Sequence, residues 1–239
     1  MMPHISISTF ISRSIVFSLF LLAIAGAAQA QTARSKAAME KLRLKQIDDS
    51  IPFFRGVQLL VDLVGPIQKA VSAYGQYEAG VRINLKDKYF PVLEVGYGKA
   101  DHTDDGSQTT YRTSAPYGKI GVDFNIMKNR HDDNRVYLGV RYACTYFKCD
   151  IEHAPVTDPV WGGEVPYSEQ GVKANCHWME ALAGIDAKIL GPWRLGWTVR
   201  YRRRLSYDSG AMGNVWYVPG YGKQGSSRIS GTFNIIYEF

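Results

Sequence analysis

Hydrophobic and polar residues alternate along the last stretch of the chain, Arg228–Phe239. Its apolar residues share one parity: Phe239, Tyr237, Ile235, Phe233 and Ile229. The other parity is mostly polar: Glu238, Asn234, Thr232, Ser230 and Arg228. Because successive side chains of a β-strand point to opposite faces, this segment is predicted to be a strand with one apolar and one polar face.

Seven earlier segments repeat the same alternation. They cover residues 57–63, 74–85, 93–97, 119–126, 135–145, 178–189 and 193–205. Repetition over so many segments is stronger evidence for strands than any single segment. An apolar strand face could belong to the core of a soluble sandwich or to the lipid-facing side of a membrane barrel.

The lengths of the connections favour the barrel. Three connections are short: Lys86–Lys88, Lys128–Asn134 and Leu190–Pro192. The others, of which three are long, are Gly65–Ser72, Ala100–Ala115, Cys149–Cys176 and Asp208–Ser226. Short turns on one side, longer loops on the other and an even strand number are typical of outer-membrane barrels. We therefore expect an all-β fold, an eight-stranded antiparallel up-and-down transmembrane β-barrel with both termini periplasmic.

The N-terminal region has the pattern of an export signal. Arg13 precedes the apolar run Ile15–Ala25, and Ala28-Gln29-Ala30 forms a small-residue cleavage site. We expect residues 1–30 to be a cleaved secretory signal peptide, 31–52 a periplasmic lead-in and 53–239 the barrel. Localisation in a Gram-negative outer membrane follows from this interpretation.

Composition agrees with a barrel but says little about its role. The chain has 15 Tyr, 10 Phe and 5 Trp, as expected where aromatic girdles mark two membrane interfaces. The net charge of +6 would suit an anionic partner, but export makes nucleic acid an unsuitable one. A mean hydropathy of -0.18 does not exclude a barrel, because only half of the strand residues face lipid.

Charged residues fall on the inward parity of most predicted strands. An eight-stranded interior is nearly filled by side chains, so these charges are predicted to form a packed network rather than line an open pore. The predicted network is Asp62, Glu78, Arg82, Glu94, Lys119, Asp123, Arg141, Glu180, Asp186, Arg194, Arg200, Arg202 and Arg204, together with Lys188. Arg228, Asn234 and Glu238 of the last strand are also predicted to belong to the filled lumen. The alternatives are a cationic binding cavity or a gated anion path along the seventh predicted strand, and a narrow channel.

The chain resembles small OmpA/OmpX-like barrels in architecture and, more closely, an uncharacterised, unknown-function family of outer-membrane β-barrels from Bacteroidota. The segments that carry the resemblance are Val61–Pro66, Asn84–Pro91, Tyr97–His102, Tyr201–Arg204 and Trp216–Lys223. The resemblance covers nearly the whole chain after the signal. It implies a fold and a location, and it supplies no catalytic residue, metal ligand or cofactor.

Candidate chemistry is sparse. Asp101, His102, Asp104 and Asp105 cluster in one predicted loop, but their spacing matches neither a calcium loop nor a zinc motif. A lipid-modifying enzyme acting on lipid A acyl groups is the second functional hypothesis, since it would need a nucleophile, a base and an orienting group. The candidates for such a site are His153, Ser168, Glu169, His177, Ser226 and Ser227. No sequence motif connects them.

Two cysteines bracket the longest predicted loop. Cys149 and Cys176 are placed at the tops of neighbouring strands, where a disulfide would close the loop. Cys144 has the lipid-facing parity and is expected to be a free thiol. A disulfide between Cys149 and Cys176 is therefore predicted.

Two further features suggest contacts with the surroundings. Arg203 has the outward parity near a predicted interface, where its guanidinium is expected to reach lipid headgroups or lipopolysaccharide. Aromatic residues of the predicted outer loops could recognise a glycan or protein, or pack together as a lid: Trp161, Tyr167, Trp216, Tyr217 and Tyr221. The strand ending at Phe239 is the expected contact with the barrel-assembly machinery. The sequence thus predicts a structural or surface-interaction role.

Overall fold

The computed structural model describes residues 36–106, 108–157, 160, 162–210 and 215–239, and of residues 156, 157 and 165–167 it describes the backbone alone. The signal predicted over residues 1–30 lies outside the described residues. The chain divides into two compact units, Met1–Ile51 and Pro52–Phe239. In the first unit, helix α1 covers residues 36–50.

The second unit is a closed barrel in which, over its described residues, eight antiparallel strands form a ring. The strands are β1 (Phe54–Asp62), β2 (Tyr74–Leu85), β3 (Tyr89–Asp104), β4 (Thr109–Asn125), β5 (Arg135–Thr157), β6 (Glu164–Leu190), β7 (Trp193–Asp208) and β10 (Ser227–Glu238). Strand β10 closes the ring between β1 and β7, with Gln58 opposite Glu238 and Tyr237 opposite Trp193. The predicted eight-stranded fold is confirmed.

Two of the predicted loops are strands instead. Strands β3 and β4 continue in register to the pair Asp104 and Thr109, and β5 and β6 continue to the pair Thr157 and Glu164. The loop predictions for Ala100–Ala115 and Cys149–Cys176 were therefore wrong. We call the added parts of these four strands the strand extensions. They are residues 101–104 of β3, 109–114 of β4, 150–157 of β5 and 164–172 of β6. Their outward residues are mainly polar, so the alternation of apolar and polar residues that predicts a strand is absent there.

A short helix interrupts the barrel after β1. Helix α2 (Val64–Val71) begins where the Asp62 carboxylate accepts hydrogen bonds from the backbone N–H groups of Val64 and Gly65 at 3.1 and 2.9 Å. Gly65 allows a close approach to β2, because a Cβ there would lie 2.1 Å from the Gln76 carbonyl oxygen. The predicted connection Gly65–Ser72 is thus mostly helical and packs against the barrel.

The connection between β7 and β10 folds into the barrel. Strands β8 (Tyr217–Val218) and β9 (Gly222–Lys223) form a small hairpin, which we call the plug hairpin. It belongs to the main apolar cluster of the described chain, whose fully buried members include Val215, Tyr217, Val218 and Tyr221. Hydrophobic packing therefore fills one end of the barrel.

The outer surface of the barrel is apolar between two groups of aromatic residues. Leu93, Val95, Ile120, Trp197 and Val199 are all exposed there. One aromatic group lies near the start of β1 and the end of β10: Tyr89, Phe124, Trp193, Tyr237 and Phe239. The other lies toward the strand extensions: Tyr77, Tyr97, Tyr142, Tyr146 and Tyr201. No helix within the described chain is long and apolar enough to cross a membrane.

Candidate functional site

The barrel interior holds a layer of fully buried charges below the plug hairpin. Arg200 Nη1 lies 2.9 Å from both Glu78 Oε1 and Glu94 Oε2 and 3.4 Å from Glu180 Oε2. Lys119 Nζ lies 2.8 Å from Glu78 Oε2 and 3.2 Å from Glu180 Oε1. Inward parity on separate strands brings these groups to one point, because side chains of facing strands meet across a narrow barrel.

Aromatic and guanidinium donors complete the upper layer. Tyr117 donates a hydrogen bond to Glu78 at 2.8 Å, and the indole N–H of Trp178 donates to Glu180 at 2.8 Å. Arg202 Nε lies 3.0 Å from Glu180, while its Nη1 donates to the Tyr221 carbonyl of the plug hairpin at 2.9 Å. The charged layer and the plug hairpin are thus directly joined.

A second buried layer lies nearer the start of β1 and the end of β10. Arg82 bridges Asp186 at 2.6 Å and Asp123 at 3.1 Å. Arg141 donates two hydrogen bonds to Asp123, at 2.7 and 2.9 Å, and its Nε lies 3.5 Å from Glu94. Arg141 therefore connects the two layers, and bidentate arginine–carboxylate pairs of this kind hold a fixed geometry.

A third cluster lines the end of the barrel at which β1 begins and β10 ends. Arg135 and Arg194 both contact Glu238, at 2.9 and 3.0 Å, and Gln58 donates to the same carboxylate at 2.9 Å. Asp87 accepts from Arg55 at 2.7 Å, with His131 Nδ1 2.9 Å away.

The outer rim of this end carries one exposed ion pair. Lys188 Nζ lies 2.9 Å from Asp133 Oδ1. The hydrogen bond from Lys188 lowers the pKa of the Asp133 carboxyl.

Most residues predicted for the interior network have an ion-pair partner there, and four differ in detail. Asp62 begins helix α2, accepting only backbone hydrogen bonds in the described chain. Lys188 pairs at the rim with Asp133 rather than inside. Arg194 joins the cluster at the terminal end, and Arg204 lies over the Tyr207 ring at 4.8 Å.

Several members of the interior were missed. Arg135 has inward parity in β5, so the strand pattern could have placed it inside, as it placed Glu238 of β10. Asp87 and His131 belong to turns, which have no such pattern. Tyr117 and Trp178 also point inward, where each aromatic ring carries a polar group to a carboxylate.

The aromatic recognition prediction requires correction. Tyr217 and Tyr221 are each only 1% exposed, because the plug hairpin turns into the barrel. Trp216 is half-buried and stacks on His102, with ring centroids 4.1 Å apart. Trp161 and the side chain of Tyr167 lie outside the described residues. The described aromatic residues therefore fit the lid alternative and not an exposed recognition surface.

The predicted disulfide is also wrong: Cys149 and Cys176 are free thiols. Cys149 pairs in register with Val172, whereas Cys176 pairs with Thr145. An offset of four positions corresponds to about 13 Å along a strand, well beyond the roughly 7 Å that a disulfide can bridge between Cα atoms. The error follows from the loop prediction, since the strands continue past both cysteines. Cys144 is a free, partly exposed thiol.

The predicted headgroup and enzyme residues lie on the outer surface or in the extensions. Arg203 is exposed beside Tyr201 and opposite Ser227 of β10. His177 lies 2.9 Å from the Tyr142 hydroxyl and 3.4 Å from that of Tyr146. His153 contacts the carbonyl of Ala154. Within the described part of the chain, hydrogen bonds link no serine, histidine and carboxylate as nucleophile, base and orienting group. Nor do the described His, Cys, Asp and Glu residues form a group that could hold a metal ion.

Solved structures of low sequence identity resemble this chain. Ail, the attachment invasion locus protein of Yersinia pestis, in complex with the heparin analogue sucrose octasulfate, aligns over 77% of this chain and 98% of its own, with 7% identity and a TM-score of 0.39. Neisserial surface protein A aligns over 78% and 99%, with 11% identity and a TM-score of 0.40. A major outer membrane protein from Thermus thermophilus aligns over 77% and 100%, with 12% identity and a TM-score of 0.41.

Sequence comparison identifies the family. No curated protein sequence matches the chain. The family described as Domain of unknown function (DUF6048) matches residues 7–239, so the chain belongs to this family.

Proposed function

We propose that this DUF6048 protein is an integral outer-membrane β-barrel with a closed lumen, acting in a structural or surface-interaction role through its strand extensions. The observation that carries the proposal is the reversed distribution of polarity in the barrel. Apolar side chains such as Leu93, Ile120 and Val199 face outward, while charged groups such as Lys119 and Arg200 are buried inside. A contiguous apolar exterior of this extent suits lipid rather than water.

The contents of the lumen support a role other than transport. In the upper layer, the described carboxylates Glu78, Glu94 and Glu180 oppose the cations Lys119, Arg200 and Arg202. In the next layer, Asp123 and Asp186 oppose Arg82 and Arg141. The charges of these two layers balance, so neither layer carries a net charge that would attract an anion along the lumen. The plug hairpin covers the upper layer.

The strand extensions supply the proposed interaction surface. Strands β5 and β6 contain 23 and 27 residues, whereas one membrane crossing needs about 9–11. The excess would stand outside the bilayer. Exposed ion pairs link the extensions of β3, β4 and β5, because Arg112 lies 3.4 Å from Asp101 and 3.6 Å from Glu152. A glycan or protein at this surface, lipid around the apolar band and assembly machinery at the strand ending with Phe239 are the proposed partners.

An epitope-insertion experiment tests location and orientation together. One variant carries the epitope between Gly162 and Gly163, at the tip between β5 and β6, where both glycines are exposed. A matched variant carries it between Asp132 and Asp133, in the turn between β4 and β5 at the opposite end. On intact cells, antibody should bind the tip epitope only, and both epitopes should react after lysis. Labelling of the turn epitope alone would show that the barrel has the opposite orientation in the membrane. Labelling of neither epitope on intact cells would contradict surface display.

A further inference from the structure

The barrel wall has a gap between β10 and helix α2. The last register pair between β1 and β10 is Asp62 with Asn234, and the Leu63 N–H then donates to the Phe233 carbonyl at 2.8 Å. Beyond this point β10 continues to Ser227 with no β1 residue opposite. Because alternate residues of a strand direct their backbone groups to the same neighbour, Ile229 and Gly231 direct theirs toward the gap, as Phe233 does.

Helix α2 packs closely against β2 on one side of this gap and has less contact with β10 on the other. A Cβ on Gly75 of β2 would lie 2.4 Å from Lys69 Cβ, so this part of the helix is in close contact with β2. Outward on the helix, Ile67 and Val71 are 62% and 79% exposed. The helix therefore presents an apolar face to the surroundings on one side of an opening through the wall.

A cavity of about 270 Å³, lined by both polar and apolar residues, lies behind the opening, and we call it the seam cavity. Its lining joins the plug hairpin to β10 and includes Asp62, Arg202, Lys223, Arg228 and Ser230. Asp62 is engaged by backbone N–H groups, and Arg202 by Glu180 and the Tyr221 carbonyl. The Ser230 hydroxyl is buried and has no hydrogen-bond partner within the described residues.

Two cations line this cavity without a described carboxylate partner, the half-buried Arg228 and the exposed Lys223. Arg228 donates to the carbonyls of Lys223 and Gln224 at 2.9 and 2.7 Å. Lys223 Nζ lies 5.3 Å from the Tyr74 ring and 5.1 Å from the Trp216 ring. Backbone carbonyls orient Arg228 and aromatic rings orient Lys223, and neither kind of partner neutralises a positive charge. With Arg202, these cations outnumber the one carboxylate of the lining, Asp62, which favours an anionic ligand.

An apolar groove on the outer wall continues from the seam cavity. The groove has a volume of about 670 Å³ and runs over β10, β7 and β6, past Phe233, Trp197 and Ala183. Val64 and Gly231 line both the groove and the cavity, so the two spaces meet at the opening. A second apolar groove, of about 350 Å³, lies across α2 beside Pro66, Tyr77 and Val95.

From this arrangement we infer that the opening is a lateral binding site for a phosphorylated membrane lipid. The phosphate group occupies the seam cavity beside Lys223 and Arg228, and an acyl chain lies in the groove past Gly231. The aromatic residues Tyr77 and Tyr201 at this level place the cavity at headgroup depth and the groove toward the apolar band. Ordinary bilayer contact does not require a cationic cavity inside the wall, so the site is distinct from the general lipid surface.

Native mass spectrometry of the full-length protein in detergent, titrated with dimyristoyl phosphatidic acid, tests the inference. Binding should exceed that of dimyristoylglycerol, which lacks the phosphate, and inorganic phosphate at equal concentration should not displace the lipid. Equal binding of the two lipids would overturn the site. Displacement by inorganic phosphate would show that the acyl groove plays no part, and would also contradict the inference.

Matched variants separate the site from general effects. Lys223→Gln with Arg228→Gln should weaken phosphatidic acid binding about tenfold or more, because two charge-assisted contacts are lost. Arg112→Gln, an exposed change on the strand extensions that removes one positive charge, should leave binding unchanged.

Filling the opening gives a second test that keeps the charges. A Cβ on Gly231 would meet only the Thr198 carbonyl oxygen, at 3.8 Å, so Gly231→Leu is compatible with the fold while obstructing the groove. Gly118→Leu is the control, because a Cβ there meets nothing within 4 Å and the position lies on β4. Each variant is first checked for heat-modifiable migration as a folded barrel. Wild-type binding by folded Gly231→Leu, or by the folded double variant, would contradict the inference.

Discussion

Arg200 is a central residue of the buried charge network. It contacts Glu78, Glu94 and Glu180, which come from three other strands, and it is almost completely buried. Removal of one partner from a buried ionic cluster leaves the others with uncompensated charge, which is far more damaging than the loss of a surface pair. Arg200 therefore holds together the carboxylates that would otherwise repel one another.

Arg200→Met should lower the free energy of unfolding by about 3–5 kcal/mol, the usual effect of breaking a buried ion pair. Arg112→Met is the matched control, since Arg112 pairs with Asp101 and Glu152 at exposed positions. Its expected loss is about 0–1 kcal/mol. Denaturant titration in detergent micelles measures both values. Equal stability losses for the two variants would contradict a network-dependent interior.

The cysteines give a second prediction at the scale of single residues. Thiol labelling after unfolding without reductant should modify Cys144, Cys149 and Cys176, because all are free. The register separates the buried pair by about four strand positions, too far for a bond without breaking strand pairing. Labelled mass is measured by mass spectrometry of the intact chain. A product with only one labelled thiol would instead support the disulfide predicted between Cys149 and Cys176.

At the scale of elements, two glycines at the turn of the plug hairpin allow it to pack inside the barrel. Gly220 has φ +79° and contacts the Tyr117 ring, where an added Cβ would lie 2.5 Å from Cγ. Gly222 has φ +111°, but a Cβ there would meet nothing within 4 Å. The two positions share a backbone conformation that favours glycine and differ in contact with the barrel wall.

Gly220→Ala should therefore disturb seating of the plug hairpin more than Gly222→Ala. Backbone strain is expected to destabilise both variants by about 1–3 kcal/mol, and the clash with Tyr117 adds about 1–3 kcal/mol for Gly220→Ala alone. Limited trypsin digestion reports the difference, because the Lys223 backbone is paired in the hairpin and the Arg228 backbone in β10, so cleavage after either residue becomes faster when the hairpin is loosened. Equal cleavage rates of the variants would indicate that the hairpin does not depend on this contact.

The sequence predicted those elements whose two faces differ in polarity. All eight barrel strands were found because outward apolar and inward polar residues alternate in the membrane-facing part. The pattern also placed Glu94, Lys119, Arg141 and Glu180 on the inside. In the structure Glu94 lies opposite Lys119 and Arg141 lies opposite Glu180 on neighbouring strands.

The strand extensions escaped prediction for the converse reason. Around Asp101, Arg112 and Lys148 the outer face is polar, so alternation between faces is lost although pairing continues. The plug hairpin was not predicted because its glycines and prolines, such as Pro219 and Gly220, are typical of exposed loops as well as of buried turns. Helix α2 lies in a predicted connection and depends on the cap provided by Asp62.

At the scale of the whole molecule, the interior and exterior reverse the usual arrangement of a soluble protein. Charges balanced in layers occupy the barrel, the plug hairpin covers one end, and a cluster around Glu238 and Asp87 fills the other. The long β5 and β6 place additional surface beyond one aromatic group. These features together favour a stable scaffold that displays a surface and argue against a solute pathway.

Ion conductance of the purified wild-type protein in planar lipid bilayers tests this account most directly. Because paired charges fill the lumen and the plug hairpin covers it, insertion should produce no stable current steps above the bare bilayer at either polarity. Insertion is verified independently by protease protection of the reconstituted protein. Reproducible single-channel steps from inserted wild-type barrels would contradict the closed lumen and restore the channel hypothesis.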